Sequence, residues 1–154
     1  MATQFLANEH ETLAFGAQFA SLLKPGWVIF LHGDLGAGKT TLVRGLLRGL
    51  DFTGRVKSPT YTLVESYNAS SLYLYHFDLY RFKHEQEWLE AGFDEIFNGT
   101  NICLVEWPER AAKLLPNADI HIHLDMEGDG RRVTIATENT DVARALADCF
   151  GPQT

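Results

Sequence analysis

Cysteine is scarce in this chain of 154 residues: there are two, Cys103 and Cys149, far apart and in no C-x-x-C spacing. That argues against a disulfide-stapled scaffold or a thiolate metal cluster. Cys103, set in an apolar run, reads as a buried free thiol. No apolar run approaches the ~20 residues that cross a bilayer. Met1 to Leu6 also lacks the basic segment and long apolar stretch of a secretory leader. The expectation is a cytoplasmic protein with no membrane contact. Basic charge is short too: 13 Lys and Arg against 20 Asp and Glu give a net charge of −7. A chain that grips a phosphate backbone unaided normally carries a basic face. One local exception, Arg44, Arg48, Arg55 and Lys57, reads equally well as an anion patch or as solvated surface. Linkers, repeats and low-complexity segments are missing as well. With 45% hydrophobic and 21% charged residues, the chain is expected to fold as one domain over residues 1–154.

What is present is concentrated in eight residues. Gly33-Asp34-Leu35-Gly36-Ala37-Gly38-Lys39-Thr40 has the spacing G-x-x-x-x-G-K-[ST], the phosphate-binding loop called Walker A. Glycines let the backbone turn through positive φ and approach a polyphosphate with no Cβ in the way. Successive N–H groups then converge on an anion at the start of a helix, where the helix dipole favours negative charge. Lys39 supplies a mobile charge for the terminal phosphates, and Thr40 a hydroxyl for Mg²⁺. The flanks agree: Trp27 to Leu31 reads as a buried strand, and Thr41 to Leu47 carries apolar residues at helical spacing.

The remaining pattern predicts an α/β domain of P-loop NTPase type, with a mixed parallel and antiparallel sheet flanked by helices. Asn8 with Glu11 reads as a capped start of a first helix, stopped by Pro25-Gly26. The Walker helix runs to about Leu50. Tyr61 to Tyr67 and Leu72 to Phe77 read as a hairpin, and His84 to Ala91 as a short helix. Ile102 to Val105 reads as a buried strand, followed by a short helix to Leu115. A second hairpin, Asp119 to Asp125 with Arg131 to Thr137, precedes a terminal helix, Asn139 to Phe150.

A nucleotide hydrolase needs a carboxylate at a neighbouring strand end to hold or orient Mg²⁺. Glu106, closing Cys103-Leu104-Val105, fits that place. Asp78, closing Leu72 to Phe77, is a second candidate that would take a metal-bound water or orient the attacking one. The plainer alternative for Asp78 is a strand-end ion pair with Arg81. Ser58-Pro59-Thr60-Tyr61-Thr62 puts hydroxyls in a loop suited to sensing a γ-phosphate. His121 and His123 share a strand face, where solvated surface is the plainer reading than a metal site.

Four blocks taken together resemble the TsaE (YjeE) family, small bacterial P-loop ATPases needed for threonylcarbamoyladenosine modification of tRNA. They are Gly33 to Thr41, Ser58 to Thr62, His76-Phe77-Asp78-Leu79-Tyr80-Arg81 and Glu106-Trp107. The resemblance runs from about Glu9 to Leu124. It implies ATP with Mg²⁺ held by Thr40 and Glu106, and phosphates wrapped by Gly36, Ala37, Gly38, Lys39, Thr40 and Thr41. It further implies a nucleotide contact from Glu9 or Thr12. The implied partner is the TsaD–TsaB threonylcarbamoyl transferase heterodimer, reset between turnovers by the ATP cycle, with tRNA contacted mainly through those partners.

On this reading Lys39, Asp78 and Glu106 are the catalytic candidates, with Gly33 completing the phosphate loop. No residue is clearly an arginine finger, a group worth ~10³–10⁵ in rate, so weak hydrolysis by the isolated chain is expected. Two other readings stand beside it. A small-molecule or nucleoside kinase would need an arginine-rich lid, for which Arg131-Arg132 is the sole candidate. A non-catalytic module would use ATP occupancy alone to change partner affinity.

Overall fold

Alternation, caps and turns account for most of the elements. In the computed structural model, which describes residues 2–151, the first strand β1 spans Ala2–Leu6 and helix α1 spans Glu9–Ala20. The ends of the predicted 1–154 domain, Met1 and residues 152–154, lie outside the described residues. As the pattern predicts, the Asn8 side chain accepts from the Glu11 N–H and caps α1. Strand β2, Val28–His32, leads into α2, Lys39–Gly49. The hairpin of β3, Val64–Ala69, and β4, Leu72–Asp78, turns at Ser70 and Ser71, both with positive φ. After α3, Glu85–Glu90, come β5, Ile102–Glu106, and the antiparallel pair β6, Ile120–Glu127, and β7, Gly130–Ala136. Helix α4, Thr140–Phe150, is capped by Asn139.

The seven strands form one sheet in the order β1-β7-β6-β2-β5-β4-β3. Its centre is parallel: β2 pairs with both β5 and β6, and β4 pairs with β5. Each flank is antiparallel. The mixed sheet matches the expected fold class. In such sheets, ligands bind where parallel strands end and the connections diverge, and here β2 lies between β5 and β6, two later strands on opposite sides of it.

Three local expectations shift. Strand β1 is an extra edge strand that pairs Ala2 with Ile135 and Leu6 with Arg131; five residues with an exposed Phe5 give little alternation to read. Strand β3 begins at Val64 rather than Tyr61, because Thr60 to Thr62 forms a turn closed by Leu63 at φ 69°. The predicted helix to Leu115 is a single 3₁₀ turn, Pro108–Ala111, entered through Trp107 in a left-handed conformation.

The two faces of the sheet are packed differently. One is aliphatic: α1 and α2 lie against Leu31, Leu74, Leu104 and Ile122. The helices approach so closely that a Cβ on Gly45 would sit 2.2 Å from the Leu13 carbonyl oxygen, a crossing only glycine permits. The other is aromatic: Trp88 stacks with Phe77 and Phe97, and its indole N–H donates to Asp94 at 2.6 Å. Cys103 is buried there, and burial pushes its thiol up to about 12, which makes it an inert packing residue.

Candidate functional site

The glycine loop runs from the end of β2 into the first turn of α2. Gly38 stands at the N-cap with φ 104° and offers no side chain to bond the turn that follows. The leading N–H groups of a helix have no intrahelical acceptor, so those of Lys39, Thr40 and Thr41 are left for an anion. The loop is also tied from outside. Arg131, on β7, donates to the Ala37 carbonyl at 2.9 Å and the Gly36 carbonyl at 3.1 Å. Sequence reading considered this arginine only as a lid; the distant β7 register that makes it a loop tether is not visible in the local pattern.

Register aligns the acidic partners. Glu106 lies directly opposite Leu31 on β2 and Asp78 on β4, so three strand ends converge beneath the loop. Glu106 is 3% exposed and Lys39 5% exposed. The Glu106 carboxylate stands 4.0 Å from the Lys39 ammonium, accepts from the Thr40 hydroxyl at 3.5 Å, and meets His76 Nε2 at 2.5 Å. Lys39 also donates to the Gly33 carbonyl at 2.5 Å and sits 4.0 Å above the Trp107 ring. Burial pulls the Lys39 ammonium below its ordinary value, opposed by the charge of Glu106 and then of Asp78, Glu109 and Asp34. Burial raises the Asp78 carboxyl above the usual carboxylate range; the Tyr80 N–H that bonds it works against this, and Glu106 adds to it.

The alternative for Asp78 is corrected by this geometry. Asp78 accepts from Tyr80 N–H at 3.1 Å, while the Arg81 guanidinium stacks 5.1 Å from the ring of Tyr61, so no Asp78–Arg81 ion pair forms among the described residues. Ser58 and Thr60 join their hydroxyls at 2.7 Å, and Thr62 bonds Glu65. Glu9 and Thr12 come to a pocket of about 220 Å³ with Gly36, Ala37, Gly38, Thr41 and Arg131. Glu9 is exposed and 4.0 Å from Arg44, whereas Thr12 is buried against Asn8. Arg44, Arg48 and Arg55 line a separate groove with Phe52.

His121 and His123 do not form the solvated face expected of them. They join His32 in a half-buried stack, with His32 Nε2 2.9 Å from His121 Nδ1 and the His32 and His123 rings 4.4 Å apart. Burial, then His123, His121 and Lys39 in that order, pull His32 down to about 4. No cluster of three or more ligands able to hold a metal is found among the described residues, and stacked rings do not converge on a common point.

The sequence profile described as Threonylcarbamoyl adenosine biosynthesis protein TsaE matches residues 6–134. The chain belongs to the TsaE family. The Haemophilus influenzae TsaE is 42% identical over 153 residues, covering 96% of both chains. The Bacillus subtilis TsaE is 44% identical over 125 residues, covering 81% of this chain and 78% of the relative. In three dimensions, the crystal structure of Bacillus subtilis YdiB superposes with a TM-score of 0.80 at 34% identity, covering 96% of this chain and 94% of that one. TsaE proteins, and this one among them, are proteins of tRNA threonylcarbamoyladenosine biosynthesis. No helix among the described residues is long and apolar enough to cross a membrane.

Proposed function

We propose that this TsaE-family chain binds ATP with Mg²⁺ and hydrolyses it slowly, and that the cycle resets or regulates the TsaD–TsaB transferase that modifies tRNA at position 37. The observation that carries this reading is the buried meeting of Lys39, Thr40 and Glu106 under a glycine loop whose leading amides lack acceptors. Aliphatic packing would never call for an ammonium, a hydroxyl and a carboxylate in that position, since burying charge is costly without a purpose or a partner.

The donor set fits a magnesium nucleotide: hard oxygen ligands from Thr40 and Glu106, beside a cradle of main-chain N–H groups. Thr40 and Glu106 would hold the cation, whose positive charge would offset that of the phosphates. Gly33, Gly36, Ala37, Gly38 and Thr41 shape the cradle, and Lys39 leaves its place over Trp107 to meet the phosphates. Asp78, held at the strand end by the Tyr80 N–H, would orient water. Glu9 and Thr12 offer the nucleoside contact beside the loop. The arginines a kinase lid would need are engaged elsewhere, Arg131 on the loop and Arg132 on Glu127 at 2.8 Å, which favours hydrolysis over transfer to an acceptor.

The test combines calorimetry and complex formation. ATP should bind with Mg²⁺ present, slow phosphate release should follow, and binding to TsaD–TsaB should differ between ATP, ADP and no nucleotide. Absence of ATP affinity would remove the nucleotide reading. Partner binding indifferent to nucleotide would remove the regulatory one.

A further inference from the structure

His76 lies in β4 between Tyr75 and Phe77, is 0% exposed, and points with Leu74 and Asp78 toward the face covered by α2. A buried imidazole in an apolar strand costs free energy unless its nitrogens are bonded. Nε2 is bonded, 2.5 Å from Glu106 Oε2, and because a carboxylate oxygen only accepts, Nε2 donates. Nδ1 has no hydrogen-bond partner among the described residues. The strand therefore carries a half-satisfied polar ring for the sake of one bond, and that bond ends on the carboxylate beneath the phosphate loop.

Glu106 has two competing neighbours. Its Oε2 receives both His76 and the Thr40 hydroxyl, while its Oε1 faces the Lys39 ammonium across 4.0 Å, longer than a closed hydrogen-bonded pair. In a buried site, a free carboxylate would rotate toward the ammonium and close that gap. Closure would withdraw the acid from Thr40 and occupy the charge meant for phosphate. Resting on the magnesium-nucleotide reading above, we propose that His76 is a positioning residue: its Nε2–H pins Glu106 beside Thr40 and keeps it from collapsing onto Lys39, so that the two oxygen ligands stay preset for the cation. His76 touches neither nucleotide nor metal; it acts through Glu106, as outer partners of metal ligands do.

The prediction separates metal from nucleotide. With the full-length protein, ATP affinity is measured by calorimetry in excess EDTA, then as a function of Mg²⁺, for wild type, His76→Leu, His76→Asn and His76→Gln. In EDTA all four should bind ATP alike. His76→Leu and His76→Asn, whose side chains do not reach Glu106, should raise the Mg²⁺ concentration needed for half-maximal enhancement about tenfold or more. His76→Gln, whose amide N–H reaches the Nε2 position, should restore most of the difference. Equal Mg²⁺ dependence in all four proteins overturns the proposal, as does equal loss of EDTA-condition binding in all three variants. Should the leucine variant fail to fold, the asparagine and glutamine pair decides by the same criterion. The wild-type arm reports separately on the parent reading: no ATP binding, or binding indifferent to Mg²⁺, removes that reading and this proposal with it.

Discussion

Two titratable clusters flank β2, and they are solved in opposite ways. On the β5 side, Lys39, Thr40, His76, Asp78 and Glu106 mix cation, hydroxyl and carboxylate. On the β6 side, His32, His121 and His123 are alike and stacked. Burial disfavours charge in both. In the first, the opposite charges of Glu106 and Asp78 resist the loss of the Lys39 proton. In the second, His123, His121 and Lys39 all deepen the loss at His32, which is driven to about 4. The lesson is that composition of the neighbourhood, rather than burial alone, decides whether a half-hidden group stays charged. The mixed cluster keeps opposite charges side by side, and the stack holds the His32 ring neutral among other imidazoles.

The largest break in that contrast should come from Lys39→Ala. Removing the ammonium leaves Glu106 buried without it and, on the proposed function, takes away the charge for phosphate; phosphate-release assays should show a loss of about 10²–10³ in turnover. Retained activity within a few-fold would remove Lys39 from the chemistry. Next comes acid stability. Below pH 6.5 the unfolded chain takes up a proton at His32 that the folded stack refuses down to about pH 4. Stability from this ring is thus fully present above pH 6.5 and lost as pH falls between those values. Chemical denaturation at pH 7 and pH 4 should show a difference of about 2 kcal/mol attributable to His32, after allowing for solvent that reaches the ring. His32→Phe should flatten that slope; an unchanged slope would show that the stack is not its source.

A smaller effect should come from Asp78→Asn. Because burial raises the folded carboxyl, its ionisation costs stability as pH rises through the raised value. The amide still accepts from Tyr80 N–H, so a melt at pH 7 should show a gain of about 1 kcal/mol or less, together with slower hydrolysis. A loss of stability would mean the ionised carboxylate is favoured after all. The finest test is His123→Gln, which removes the second-largest influence on His32 while leaving the strand in place. Imidazole NMR should then find His32 titrating above 4 yet still below its ordinary 6.5.

Legibility differed from residue to residue. The glycine loop was readable because its turn depends on local backbone geometry, which consecutive residues encode. Asn8 was readable as a cap for the same reason, whereas Asn139, read as the first helical residue, caps the helix from outside it. Glu106 and Asp78 could be named as strand-end acids, but their opposition across β4 and β5 is a matter of register. The role of Arg131 as a tether depends on a β7 strand more than ninety residues from the loop it bonds. His32 gave no signal, since a histidine at the end of an apolar strand looks the same whether it meets water or two further imidazoles.

The order of residues along the chain was enough to specify a glycine turn with lysine and threonine at its exit, capped helices, and apolar strands ending in acids, because each is set by neighbours within a few positions. Which strand lies beside which was settled only when the sheet assembled. That assembly put His76 against Glu106, Arg131 against the loop carbonyls and three imidazoles in one stack, because side-chain chemistry across a sheet depends on register and burial, which distant parts of the chain create together.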